Sequence, residues 1–166
     1  MSDRDPAQFC RDLRHQLVGS LTLYCGDRDV AEELAQDVLA KAWQRWETVG
    51  VMTSPEAWTH RTAFNLASSW GRRRSAERRA NRRVGVDRPV SQPDTATNQA
   101  VRDAVASLAP RQRAVIVCRF FLTLSVQETA EVLACAEGTI KATTHQALVV
   151  LRASGLIDEP QEVTTP

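Results

Sequence analysis

Apolar residues recur at helical spacing through most of this chain. In "PAQFCRDLRHQLVGSLTLYCG", Phe9, Leu13, Leu17, Leu21 and Tyr24 follow one another at steps of four, four, four and three, one stripe of an amphipathic helix. Gly26 separates this helix from a second. Asp29, with Glu32 three residues on, reads as a capping box that opens it, and Ala31, Leu34, Val38, Ala42 and Trp46 track one face. The stretch "ETVGVMTS" predicts a loop. Ser54-Pro55 then signals a third helix, because serine caps and proline suits the first helical position. That helix runs on into a run of arginines. Its apolar positions Trp58, Phe64, Leu66 and Trp70 are less regular, which predicts some aromatics on a functional face, with Trp58 in the core.

From Val84 to Thr97 the periodicity stops. "VGVDRPVSQPDTAT" is rich in Pro, Gly, Asp, Ser and Thr and reads as a linker. Periodicity returns near Asn98: Val101, Val105 and Leu108 predict one short helix, and Pro110 opens another with Ala114, Val117, Cys118 and Phe121 apolar. Ser125 with Glu128 forms a second capping box, ahead of Ala130 and Leu133 facing inward. The Gly-containing turn "CAEG" leads to a last helix with Ile140, Ala147, Leu148 and Leu151 on its core side. Two helices joined in this way are the helix-turn-helix signature. No strand-like alternation rises above background. The fold class expected is all-α: two small helical domains, residues 7–83 and 98–154, joined by a flexible linker at 84–97 and followed by a short, acidic, disordered tail at 155–166, with the helix-turn-helix in the second domain.

The 166 residues, 43% hydrophobic, suffice for such a pair of modest cores. No apolar run approaches the roughly 18 to 20 residues that cross a bilayer, and "MSDRDPAQF" lacks the basic-then-apolar order of a signal peptide, so a cytoplasmic location is expected. The four cysteines form no C-x-x-C pair and the three histidines do not fall beside them at zinc-ligand spacing, which predicts free thiols acting as small hydrophobes and no metal site. No Gly-rich phosphate loop and no nucleophile, base and acid set emerges, so neither catalytic residues nor a cofactor are expected.

Net charge is only +1, but the charge is segregated. Residues 61–83 hold eight arginines against the single acid Glu77, leaving the rest of the chain with a net charge of −6. One local stripe can therefore hold phosphate while the remainder stays acidic.

With "AEELAQDVLAKAWQRW", "SPEAWTHRTAFNLASSWGRRR" and "LAPRQRAVIVCRFFLTLSVQETAEVLACAEGTIKATTHQAL" in that order, the chain resembles the extracytoplasmic-function (ECF, group 4) sigma factors of bacterial RNA polymerase over about residues 8 to 153. Three motifs in register around a linker make the resemblance specific. It implies a non-enzymatic initiation subunit whose partners are the polymerase core, through the β′ clamp and the β flap, promoter DNA, and an anti-sigma protein. It also implies that the second helix docks on the clamp through Glu32, Glu33, Leu34, Gln36, Asp37 and Trp43.

The third helix and the loop before it then resemble the part that melts and reads the minus-ten element. Strand opening needs cations for phosphates, aromatic faces for unstacked bases and polar groups for base edges. Arg61, Asn65, Trp70, Arg72, Arg73 and Arg74 supply all three. The loop from Thr48 to Thr53 would receive an extruded base.

In the minus-thirty-five module the resemblance implies DNA contacts by Arg111, Arg113, Lys141, Thr143, Thr144, His145 and Gln146. Departures from the family pattern are local. Ser69 stands where Asp is usual, and Ala136 replaces a turn serine, removing a side-chain cap worth about 0.5 to 2 kcal/mol. Thr143 and Gln146 stand at common arginine positions, and Thr144 takes a slot usually given to Leu. Readout by hydroxyl, amide and imidazole groups is still open to this helix; the alternative is a packing surface. At the level of the whole chain, the alternatives are a stand-alone helix-turn-helix regulator that needs no polymerase, and an interaction protein that competes for polymerase.

Overall fold

The computed structural model describes residues 4–82 and 96–155. Helix α1, Pro6–Cys25, begins at Asp5, whose carboxylate accepts from the Ala7 and Gln8 amides, and ends at Gly26, which takes the left-handed φ of 73° that favours glycine. All five residues of its predicted stripe are buried. Helix α2, Arg28–Gln44, starts two residues earlier than its reading as a capping box implies. Asp27 caps it by accepting from the Val30 amide, while Glu32 turns to the Arg28 guanidinium at 3.1 Å. The expected Asp29–Glu32 box is therefore replaced by an earlier cap and an i,i+4 ion pair.

The stretch expected to be a plain loop contains one helical turn, α3, Trp46–Val49. Trp46 has left the α2 stripe: its ring packs 4.9 Å from that of Phe9 and its indole N–H donates to the Arg4 carbonyl. Gly50 follows, where a Cβ would stand 2.8 Å from that indole ring and 2.9 Å from the Trp46 carbonyl, so no larger residue fits without displacement. Helix α4, Pro55–Arg82, starts with the Ser54 hydroxyl accepting from the Ala57 amide, as the Ser-Pro pair predicts, and carries the arginine run as its last turns.

The remaining helices are α5, Ala96–Ser107; α6, Pro110–Ile116, which continues through a π-helical turn at Val117–Phe121; α7, Val126–Leu133; and α8, Glu137–Ala153. No strand occurs among the described residues. The Ser125–Glu128 box forms in both directions, the Ser125 hydroxyl accepting from the Glu128 amide at 3.1 Å and the Glu128 carboxylate from the Ser125 amide at 2.7 Å. That amide holds the Glu128 carboxyl below its usual value. Ser125→Ala is expected to lower stability by about 1 kcal/mol, read as a shift in the urea midpoint without a change in slope.

The turn between α7 and α8 is not made by its glycine. Ala134 holds the left-handed conformation at φ 51°, at a cost of roughly 1 kcal/mol for a residue with a Cβ, while Gly138 lies inside α8 with open space around it. Ala136 precedes α8 without a side-chain cap, as its lack of a hydroxyl dictates.

The linker reading at 84–97 falls outside the described residues except for its last two positions, which open α5; the tail reading is described only at Gly155. The two helical groups do not keep separate cores. Leu17, Leu21 and Tyr24 of α1, Val38 of α2 and Phe64 of α4 share one buried cluster with Ala114, Val117, Cys118, Leu122 and Val132 from the second group. Smaller clusters complete each group: Phe9, Leu13 and Ala42 with half-buried Trp58 in the first, and Ala104, Leu108, Ile116, Ala147 and Leu151 in the second. Burial pushes the Cys118 thiol up to about 12 and that of Cys25 likewise, so both stay un-ionised and pack as small hydrophobes.

Candidate polymerase and nucleic-acid interfaces

On α2 the polar residues of the docking motif face solvent. Glu33, Gln36 and Asp37 are exposed, Glu32 is half-buried beside Arg28, and Leu34 leans into the shared core. Trp43, near the end of this helix, is 52% exposed. A large aromatic left in water at the end of an acidic face has the character of an anchor for a protein partner.

Helix α4 divides into a buried stripe of His60, Ala63, Phe64 and Ala67 and an outer face of Arg61, Asn65, Arg72 and Arg73. Trp70 is half-buried, with the Arg74 guanidinium 5.3 Å from its ring centroid. Arg72 donates to the Ser68 and Ser69 hydroxyls at 2.9 and 3.0 Å, so Ser69 orients a guanidinium by hydrogen bonding. Before the start of α4, Val51 is 58% and Met52 37% exposed, whereas Val49 is buried. These two apolar side chains are absent from the sequence-derived set. Their signal was an apolar pair inside the stretch from Thr48 to Thr53 expected to receive a base.

His60 was also missed. It is 4% exposed, its Nδ1 has no hydrogen-bond partner, and burial lowers its pKa to about 4, against a smaller opposing pull from the Glu56 carboxylate. The clue was positional, since residue 60 stands three, four and seven places before Ala63, Phe64 and Ala67.

Two arginines expected at DNA are engaged elsewhere. The Arg61 guanidinium donates to the Glu131 carbonyl in the last turn of α7. Arg113 donates to the Val105, Ala106 and Leu108 carbonyls at the end of α5 and, at 2.8 Å, to the Tyr24 carbonyl at the end of α1. It also lies 5.7 Å from the Tyr24 ring centroid. A guanidinium meeting the unpaired carbonyls of two helix C-termini satisfies those acceptors and opposes their partial negative charge. In this structure the Arg113 guanidinium therefore meets backbone carbonyls, as the Arg61 guanidinium does. Arg111, by contrast, is exposed.

On α8, Lys141, His145 and Gln146 are exposed. Thr143 is only 8% exposed, on the buried stripe with Ile140 and Ala147. Thr144 is half-buried and donates to the Ile140 carbonyl, so its hydroxyl hydrogen is already used. Of the residues of α8 expected at DNA, Lys141, His145 and Gln146 are the exposed ones.

No group of His, Cys, Asp and Glu among the described residues could hold a metal ion, and no described helix is long and apolar enough to cross a membrane.

Comparison with known proteins matches residues 9–77 to Sigma-70 region 2 and residues 98–151 to Sigma-70, region 4. The chain is 33% identical over 150 residues to the RNA polymerase sigma-E factor of Streptomyces coelicolor, covering 87% of this chain and 82% of that one. It is 34% identical over 137 residues to the ECF RNA polymerase sigma factor SigL of Mycobacterium tuberculosis, covering 76% and 75%. Among solved structures, the sigma factor RpoE of Bartonella quintana, crystallised with the anti-sigma factor NepR, matches with a TM-score of 0.76 and 25% identity over 92% of this chain and 99% of that one. With both regions present in order and relatives of this identity matched over most of their length, the chain belongs to the ECF branch of the RNA polymerase sigma factors.

Proposed function

We propose that this chain is a dissociable initiation subunit that binds the RNA polymerase core, recognises promoter DNA and assists its melting, and that it does so in the cytoplasm without catalysing a reaction itself. The observation that carries the reading is the placement of a solvent-facing acidic helix, α2, beside a helix, α4, whose outer face combines guanidinium groups, an amide and a half-buried tryptophan. Docking on the polymerase clamp uses Glu32, Glu33, Leu34, Gln36, Asp37 and Trp43. Minus-ten contact uses Asn65, Trp70 and Arg72 to Arg74 on α4, joined by Arg61 when it leaves Glu131, with Val51 and Met52 flanking the base that flips out. Upstream positioning uses Arg111, Lys141, His145 and Gln146.

Residues 7–83 thus form the polymerase and minus-ten module, and residues 98–154 the minus-thirty-five module, which also meets the β flap. An anti-sigma protein is the expected negative regulator.

Added to purified core polymerase on a genomic fragment library, the protein is expected to yield transcripts from a small set of start sites sharing two upstream elements. A library that gives no protein-dependent starts would sink the proposal. Tight, sequence-specific duplex binding by the free protein would favour the stand-alone regulator instead.

A further inference from the structure

Four polar residues of α4, Ser68, Arg72, Ser75 and Arg79, follow one another at steps of four, three and four and so share one face. The stripe alternates hydroxyl and guanidinium groups. Gly71 on the same face leaves a gap in it, since a Cβ built there would meet nothing within 4 Å. Together with Tyr24 and Cys25 at the end of α1 and Pro110 and Arg113 of α6, this face lines a cavity of about 350 Å³. That lies at the small end of the roughly 300 to 1,000 Å³ usual for ligand cavities.

The chemistry of the lining is one-sided. Arg72, Arg79 and Arg113 all border the cavity, whereas no carboxylate among the described residues does, and none of the three guanidiniums has an ion-pair partner among those residues. Glu77, two positions from both Ser75 and Arg79, falls on the other side of the helix. Arg113 is held by helix-end carbonyls, which satisfy its N–H groups and leave its full charge uncompensated. Arg72 spends part of its fork on the Ser68 and Ser69 hydroxyls and keeps the rest. Like charges gathered around one cleft repel each other, and an anion with several acceptor oxygens relieves that repulsion while taking charge-assisted hydrogen bonds. Trp70 and Tyr24 border the same space, with the Arg74 guanidinium 5.3 Å from the first ring centroid and that of Arg113 5.7 Å from the second. An indole beside a set of phosphate donors suits a ligand that joins a planar ring to phosphate.

We infer that this cavity binds a small phosphorylated ligand of the nucleoside diphosphate class, its phosphates on Arg72, Arg79 and the Ser68 and Ser75 hydroxyls and its base against Trp70. With no carboxylate to share a metal ion, the form taken is the metal-free anion. Trp70 and Arg72 also belong to the proposed minus-ten set, so bound ligand and promoter strand exclude one another. That consequence rests on the function proposed above, whereas the binding rests only on the cavity.

Isothermal titration calorimetry of the full chain with ADP, without magnesium, tests the site; ADP serves as the probe because stacking on an indole is indifferent to the identity of the base. The wild type should bind it with a dissociation constant below about 1 mM. Adenosine and pyrophosphate, each carrying half of the recognition, should bind about tenfold or more weakly than ADP, the size of one charge-assisted hydrogen bond or one stacked base. Two variants locate the site. Arg79→Ala removes an exposed guanidinium outside the proposed DNA set, and Gly71→Leu fills the gap with a side chain that helices favour over glycine. Each should weaken ADP binding about tenfold or more.

No binding of ADP by the wild type up to that concentration overturns the site, and so does binding that both variants leave unchanged. Pyrophosphate held as tightly as ADP overturns the nucleotide class. Should Gly71→Leu lose helical circular dichroism, Arg79→Ala decides, because it only shortens an exposed side chain. At about ten times its own dissociation constant, ADP should raise the apparent dissociation constant of a labelled mixed-sequence single-stranded 20-mer, read by fluorescence anisotropy, about tenfold. ADP that binds in the calorimeter and leaves the oligonucleotide in place overturns the competition. Core-dependent transcription by the wild type is measured in parallel; its absence removes the sigma-factor reading while the calorimetry still decides the cavity.

Discussion

Alanine at Arg72, Arg73 and Arg74 together is expected to cut open-complex formation by the reconstituted polymerase about a hundredfold at moderate salt. Hydrogen bonds to charged groups contribute on the order of 1.5 kcal/mol or more each before screening, so three partly screened contacts reach that size. The diagnostic is the salt dependence. Each phosphate released lowers the slope of log affinity against log salt by about 0.7 on single strands and 0.9 on duplex, so the triple variant should lose roughly 2 to 3 units of slope. Arg74 has a second role, because its guanidinium sits over Trp70 and holds the ring in place. The single variant Arg74→Ala should therefore also lower Trp70-dependent stacking on an unpaired base, which Arg73→Ala should not. An unchanged salt slope in the triple variant would mean that this end of α4 does not meet the nucleic-acid backbone.

The second large effect concerns pH. His60 is buried and held neutral, with its pKa lowered from 6.5 to about 4, whereas in the unfolded chain it titrates at its ordinary value. Between these values the unfolded state binds more protons than the folded one, so stability rises with pH across the window and is lost as pH falls from 6.5 toward 4. At pH 5 the loss attributable to this residue is about 2 kcal/mol, and above pH 7 it is close to zero. Denaturant unfolding of the wild type and His60→Gln from pH 8 to pH 5 checks it: the difference between the two proteins should change by that amount. A flat difference would place the imidazole in contact with water or with a partner that accepts its proton.

Local signals on this chain were legible to different depths. The Phe9 to Tyr24 stripe, the Ser54-Pro55 start and the Ser125–Glu128 box each depend on residues within one or two turns of one another, and each formed as read. The Asp29–Glu32 box failed because Asp27 offered a competing cap two residues earlier and Arg28 offered Glu32 a cation. Trp46 left the α2 stripe because Phe9 and the Arg4 carbonyl, about 40 residues away in the chain, gave its indole both a packing face and an acceptor. Gly138 was read as the turn residue from composition alone, yet Ala134 bears the left-handed φ because α7 ends there.

The candidate sites follow the same division. Residue type and spacing picked out an acidic helix, an aromatic and arginine helix and a last helix lean in cations, because a helix face is set by its period. Which side chains remain free to act was decided by packing between elements distant in sequence. Thr143 was separated from Gln146 by a rotation of α8 that puts Ile140 and Ala147 inward. Arg113 is held by carbonyls at the ends of α1 and α5, acceptors that come together only once those helices stop side by side. The amphipathic periods and caps, being local, settled the helical class and the order of the modules. The shared core and the engagement of Arg61 with the Glu131 carbonyl, 70 positions away, join distant residues, and no local pattern encodes them. Only the folded chain, by bringing helix ends and apolar faces within contact distance, decided that α7 packs against α4.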